Sequence, residues 1–157
     1  MNYPMTEEDR EIQAKTRRFV DEELIPHEVE AEMKQGELAP VVREGYQEKA
    51  RALGLYAMNL PKELGGGGFT MFQQVLVSEQ IGRVTNALGW VVHTPPAWMP
   101  SVATEHQTET WLKPTIRGER EECYAITEEY AGSDVGAIRP PRSWTATSTS
   151  STVSSGT

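Results

Sequence analysis

The residues best equipped for chemistry form one stretch, Tyr124-Ala125-Ile126-Thr127-Glu128-Glu129-Tyr130-Ala131-Gly132-Ser133-Asp134. The run Glu122 to Thr127 is short, apolar and rich in strand formers, so it reads as a strand. It delivers a threonine and two carboxylates into a turn of small residues, Ala131-Gly132-Ser133-Asp134. Such a turn presents successive backbone N–H groups and hydroxyls, which suit an anion or the polar edge of an aromatic heterocycle. A surface turn after a strand also needs no ligand at all, and these residues alone leave both readings open.

That strand needs elements to hold it, and the preceding sequence is patterned as helices. Thr6 with Asp9 three residues on is a capping-box spacing, followed by Ile12, Phe19, Val20, Leu24 and Val29 as an apolar stripe. Pro26 should kink or divide this helix, and Gly36 should end it. A second helix is expected from Pro40 to Leu53, capped by Gly54, with Val41, Val42, Tyr46, Ala50 and Leu53 on its buried face. Pro61 and Gly65 to Gly68 mark a loop read as a flexible connector. Thr70 caps a third helix carrying Phe72, Val75, Leu76 and Ile81; Ala87 to Val92 begins a fourth; Thr104 opens a fifth with Trp111 and Leu112. Trp90, Trp98 and Trp111 read as core or interface anchors.

Composition narrows the function classes. A formal charge of −8 on 157 residues argues against nucleic-acid partners, which require clustered Lys and Arg. No apolar run approaches the length of a membrane span. One cysteine, Cys123, and an acidic start without an apolar stretch suggest a reducing, cytoplasmic setting, with Cys123 buried and inert. His27, His93 and His106 lack ligand spacing, so no metal site is expected. All 23 acidic residues lie at or before Asp134. The last 19 residues hold 11 Ser or Thr and two arginines, a composition that reads as disordered.

Several motifs in order resemble the acyl-CoA dehydrogenase family. Tyr124 to Glu128 with Ala131 to Asp134 resembles its flavin-contacting signature. Ala52-Leu53-Gly54-Leu55, Asn59-Leu60-Pro61 and Glu63-Leu64-Gly65-Gly66 resemble the stretch between its early helices. Ser78 to Gly82, Thr104 to Gln107, Trp111 to Pro114 and Arg117-Gly118-Glu119 resemble the following helices and loop. The resemblance implies a mainly α fold: an N-terminal-like helical domain over 1–120, the start of the middle β domain with its first strand over 121–138, and a low-complexity tail over 139–157. It implies FAD as cofactor, an acyl-CoA substrate dehydrogenated across Cα–Cβ, an electron-transfer flavoprotein as partner and a homo-oligomer. Tyr124, Ile126 and Thr127 would lie beside the flavin ring. Ser133 would contact cofactor phosphate or the acyl-CoA, and His93-Thr94 falls in a region the family uses near its acyl pocket.

The departures shape the expectation. Glu129 stands where the family has Pro after Thr-Glu, and Trp144-Thr145 lies too close to Ser133 to serve as the family's flavin-packing segment. The family's catalytic glutamate belongs to a C-terminal bundle, so no catalytic residue is assigned in this sequence, Glu128 and Glu129 included. The switch at Arg139 reads as truncation or out-of-frame sequence, with no dehydrogenase activity expected of these residues alone. Two alternatives remain: an acyl-CoA oxidase or flavin monooxygenase on the same fold, and a cofactor-free helical interaction module.

Overall fold

A computed structural model describes residues 4–120, 126–129, 131–139, 142–145 and 148–151. The chain forms two compact units, Met1–Glu121 and Glu122–Thr157.

The first unit is helical. Helix α1 runs Glu7–Phe19, continues as a π turn over Val20–Leu24 and a 3-10 turn over Ile25–His27, and resumes as α2, Glu28–Met33. The expected division at Pro26 is present, but the widening starts six residues earlier, at Val20. A π turn takes in an extra residue and rotates everything after it around the axis. This explains why Val29, expected on the apolar stripe, is exposed while Ala31 takes the buried position. Gly36, in the left-handed region, closes the segment by donating to Ala31 O at 2.9 Å.

Helix α3, Pro40–Ala52, starts on Pro40 and is followed by Gly54 at φ +70°. Its buried residues are Tyr46, Gln47 and Ala50; Val41 and Val42, expected inside, are exposed at the N-terminal turn. Helix α4, Met71–Ile81, buries Leu76 and Val77 against α1, leaving the expected Val75 outside. Shorter helices follow: α5 Asn86–Gly89, α6 Met99–Val102 and α7 Glu105–Gln107, which passes through a second π turn, Thr108–Leu112, into α8, Lys113–Ile116.

Capping fixes how α1 and α4 meet. Thr6 and Asp9 bond reciprocally at the start of α1, as do Thr70 and Gln73 at the start of α4. Gln73 Nε2 then donates to Asp9 Oδ1 at 3.2 Å, joining the two boxes through buried side chains. Adjacent N-termini crowd partial positive charge, and the Asp9 carboxylate offsets it. Lys15 Nζ donates to Leu53 O at 2.8 Å and so ties α1 to the end of α3.

The larger core gathers Phe19, Val20, Leu24, Leu55, Val77 and Leu88 from these elements; a smaller one joins Tyr56, Leu60, Leu112 and Ile116. Between them runs the glycine stretch, and it is not a flexible connector. Gly67 N donates to Ala57 O at 3.1 Å, Gly68 N to Leu60 O at 2.8 Å and Phe69 N to Met58 O at 2.8 Å. A Cβ at Gly66 would lie 2.3 Å from Leu60 O, and one at Gly67 would lie 2.8 Å from Met58 Cα. The glycines let two backbone segments touch.

In the second unit, Arg142–Thr145 (β1) pairs antiparallel with Ser148–Ser151 (β2), Arg142 opposite Ser151. Both strands lie within the stretch 139–157 read as a low-complexity tail. Ser and Thr lower the capacity to form a core, yet β-branched Thr remains compatible with a two-stranded ladder.

Candidate functional site

The stretch singled out by its chemistry is described from Ile126. Tyr124 and Cys123 lie outside the described residues, with most of the expected strand Glu122–Thr127. Ile126 and Thr127 are not in a strand: among the described residues the nearest pairing is an isolated bridge between Glu128 and Ala131. β-propensity needs a neighbouring ladder to become a strand, and that bridge is too short to supply one.

What the residues build is a closed turn. Ala131 N donates to Glu128 O at 3.2 Å, reversing the chain. Asp134 Oδ1 accepts from Gly136 N at 3.1 Å and caps the 3-10 turn Val135–Ala137. Glu128 Oε2 accepts from Arg139 N at 2.8 Å, so one carboxylate clasps both ends of residues 128–139. Sequence reasoning placed Glu128 in the binding turn without giving it this bond; nothing in residue spacing announces a side-chain-to-backbone clasp across 11 positions.

With Glu128 and Asp134 engaged in holding the turn, Thr127 and Ser133 are left as its exposed hydroxyls. Among the described residues neither hydroxyl has a hydrogen-bond partner. Ile126 is half-buried beside Thr127. A Cβ at Gly132 would meet nothing within 4 Å among the described residues, so they leave the turn open there. The donor set offers two hydroxyls and small-residue backbone next to one apolar side chain. It fits the polar edge of a flat heterocycle or a phosphate oxygen.

The helical unit has its own cavity, of about 300 Å³. Met58, Val77, Ile81, Val84, Trp90 and Val92 give it apolar walls. Thr85 and Thr94 add hydroxyls, and buried Thr85 Oγ1 has no hydrogen-bond partner among the described residues. Thr85 is itself positioned by donating its backbone N–H to Glu28 Oε1 at 3.1 Å. Of the pair His93-Thr94, Thr94 reaches this cavity, while His93 O accepts from Ala57 N and its ring tilts against Tyr56 at 5.6 Å. Of the two roles expected for Trp90, Trp98 and Trp111, core or interface anchor, exposure of at least half of each residue excludes the core and is compatible with an interface. Among the described residues no three His, Cys, Asp or Glu side chains gather as a metal site.

The family model for the acyl-CoA dehydrogenase N-terminal domain matches residues 6–119. The chain belongs to that family. The match spans α1 through α8, and a solved structural relative carries the same helical arrangement. An acyl-CoA dehydrogenase complexed with FAD from Bacillus anthracis superposes with a TM-score of 0.72 at 24% identity, over 88% of this chain and 24% of that one. This family member is also 32% identical over 137 residues to a 3-(aryl)acrylate reductase of Clostridium sporogenes, 85% of this chain and 35% of the relative. A short-chain specific acyl-CoA dehydrogenase of Clostridium acetobutylicum is 28% identical over 87% of this chain and 36% of the relative. The caffeyl-CoA reductase-Etf complex subunit CarC of Acetobacterium woodii is 29% identical over 85% and 35%. The chain thus spans about a third of the length of the curated relatives it matches.

Proposed function

We propose that this chain supplies the helical part, and one flavin-facing turn, of an FAD-dependent oxidoreductase acting on the Cα–Cβ bond of an acyl-CoA thioester. The observation that carries the reading is the turn itself: Glu128 and Asp134 hold it closed from within, while Thr127 and Ser133 are left exposed for a ligand. The family match supports it from the other side.

Bound FAD supplies a two-electron acceptor or donor at the Cα–Cβ bond. This chain's residues bind and orient. Thr127 offers its hydroxyl to the heterocycle's polar edge and Ile126 an apolar contact beside it; Tyr124 takes a neighbouring position by resemblance. Hydroxyl and N–H donors at that edge favour the form carrying extra negative charge. Ser133 donates to a phosphate of the cofactor or to the acyl-CoA. The apolar cavity around Val77, Ile81 and Trp90 suits the hydrocarbon part of such a substrate. Relatives named as dehydrogenases and as reductases describe opposite directions of one two-hydrogen reaction.

Neither Glu128 nor Glu129 is the proton-abstracting base, because Glu128 is committed to Arg139 N–H and both belong to the turn. The part proposed for these residues is therefore binding and orientation, with no base assigned among them. An electron-transfer flavoprotein and further copies of the chain are the expected partners, in the cytoplasm; among the described residues no helix is long and apolar enough to cross a membrane.

A flavin titration of the chain, followed by quenching of flavin fluorescence, tests the proposal. Saturable quenching, with no turnover of acyl-CoA against an artificial acceptor, is expected. A second reading, a cofactor-free helical interaction module, draws on the exposed Trp90 and Trp98. A colourless, soluble oligomer indifferent to flavin would favour it. Oxygen consumption on acyl-CoA addition would instead indicate an oxidase or monooxygenase on the same fold.

A further inference from the structure

A second cavity of the helical unit, about 430 Å³, shares no lining residue with the first and is independent of the proposed reaction. Its walls bring together three cations from distant parts of the sequence, Arg51 at the end of α3, Lys113 at the start of α8 and Arg117 just after it, beside Tyr56 and Gly65 to Gly67. The geometry points to a binding site for a phosphate group in this cavity.

Arg51 is its fixed element. The guanidinium carbon stands 5.4 Å from the centroid of the Tyr56 ring. A Cβ at Gly118, which sits at φ +76°, would fall 2.3 Å from Arg51 Nη1. The glycine therefore answers two demands, a left-handed turn and a seat for the guanidinium. Among the described residues, buried Nη1 has no hydrogen-bond partner and Arg51 forms no ion pair with a carboxylate. A planar guanidinium held by an aromatic face on one side is preorganised to give its remaining donors to an oxyanion.

The other two cations are already paired, but in an exchangeable way. Arg117 donates to Glu119 through Nε at 2.6 Å and Nη2 at 2.9 Å. Lys113 pairs with Glu109 one turn back. All four of these side chains are a third exposed or more, where ion pairs contribute little and re-form at small cost. An arriving phosphate meets one guanidinium that no described carboxylate pairs with, and two cations able to turn toward it. The apolar flank of Ile116 and Leu64 leaves room for an organic group attached to that phosphate.

The 157-residue chain is titrated in chloride buffer with inorganic phosphate, and separately with ADP, while backbone amides are followed by NMR. Saturable shifts are expected at Gly65 to Gly67 and Gly118, weakening as salt is raised. Arg51→Leu should weaken binding by about tenfold or more, the loss of a charge-assisted hydrogen bond. Lys113→Gln and Arg117→Gln change exposed side chains and leave the fold intact; each should weaken binding by a smaller factor, and the pair together by more. Arg18→Gln, on α1, should leave it unchanged. ADP binding tighter than phosphate would assign a nucleotide as the source, and equal binding a free phosphate. Shifts that grow linearly without saturating would overturn the site. So would saturable binding that survives both Arg51→Leu and the Lys113→Gln, Arg117→Gln pair.

Discussion

The glycine stretch at 65–68 and the turn at 128–139 are both short, irregular and rich in small residues, yet they are built for opposite ends. In the first, N–H groups are spent on carbonyls of the same loop, and the missing side chains allow backbone to lie on backbone. In the second, two acidic side chains close the turn while its hydroxyls and one glycine face open space. Loops whose polar groups are consumed internally hold a core together; loops held from one side leave groups available for a ligand. Small-residue composition alone does not distinguish the two, but the destination of the hydrogen bonds does.

Substitutions can break that contrast. The largest effect is expected at the core that the first loop supports. Leu24→Ala, at a fully buried position, should cost about 2–5 kcal/mol in chemical denaturation by leaving a cavity. Gly66→Ala comes next, at roughly 1–3 kcal/mol, because its Cβ meets Leu60 backbone that has nowhere to move. Gly132→Ala, with open space around it, should cost under about 1 kcal/mol, and equal losses at the two glycines would erase the distinction. Thr70→Ala, removing one capping box, should cost about 1 kcal/mol by thermal or urea unfolding.

A pH series sharpens the contrast. Asp9 is held below its usual carboxylate range chiefly by the Thr6 N–H, with the Thr6 hydroxyl and Gln73 amide adding and burial opposing. A carboxyl lowered on folding stabilises above its unfolded value, about 4, and that contribution fades as pH falls toward the folded value. Acid unfolding of the helical unit should therefore steepen in that window, and Asp9→Asn should flatten it. The smallest effect belongs to Ser133→Ala, within about 0.5 kcal/mol of no change in stability, as an exposed hydroxyl free for a ligand requires.

Much of the helical unit was legible because its signals are local. Thr6, Thr70 and Thr104 each cap the start of a helix as expected, and Pro40 and Gly54 bound α3 as their backbone preferences dictate. Periodicity failed where it needed information from a neighbour. Val41, Val42 and Val75 repeat at helical spacing but have no element over them, and Val29 lost its phase at a π turn that no residue type marks. Thr127 and Ser133 are singled out by the family resemblance of their motif, not by spacing or residue type. Glu128's clasp on Arg139 and the meeting of Arg51 with Lys113 and Arg117 depend on chain path, which spacing does not encode.

The most direct measurement is the affinity for FAD of the chain and of its Thr127→Ala, Ser133→Ala variant, read by flavin fluorescence with the fold checked by circular dichroism. Saturable binding by the chain, weakened about tenfold or more in the folded variant, is the result expected when two hydroxyl contacts are lost. Flavin that is ignored by the chain, or bound equally by both proteins, would contradict the assignment of this turn.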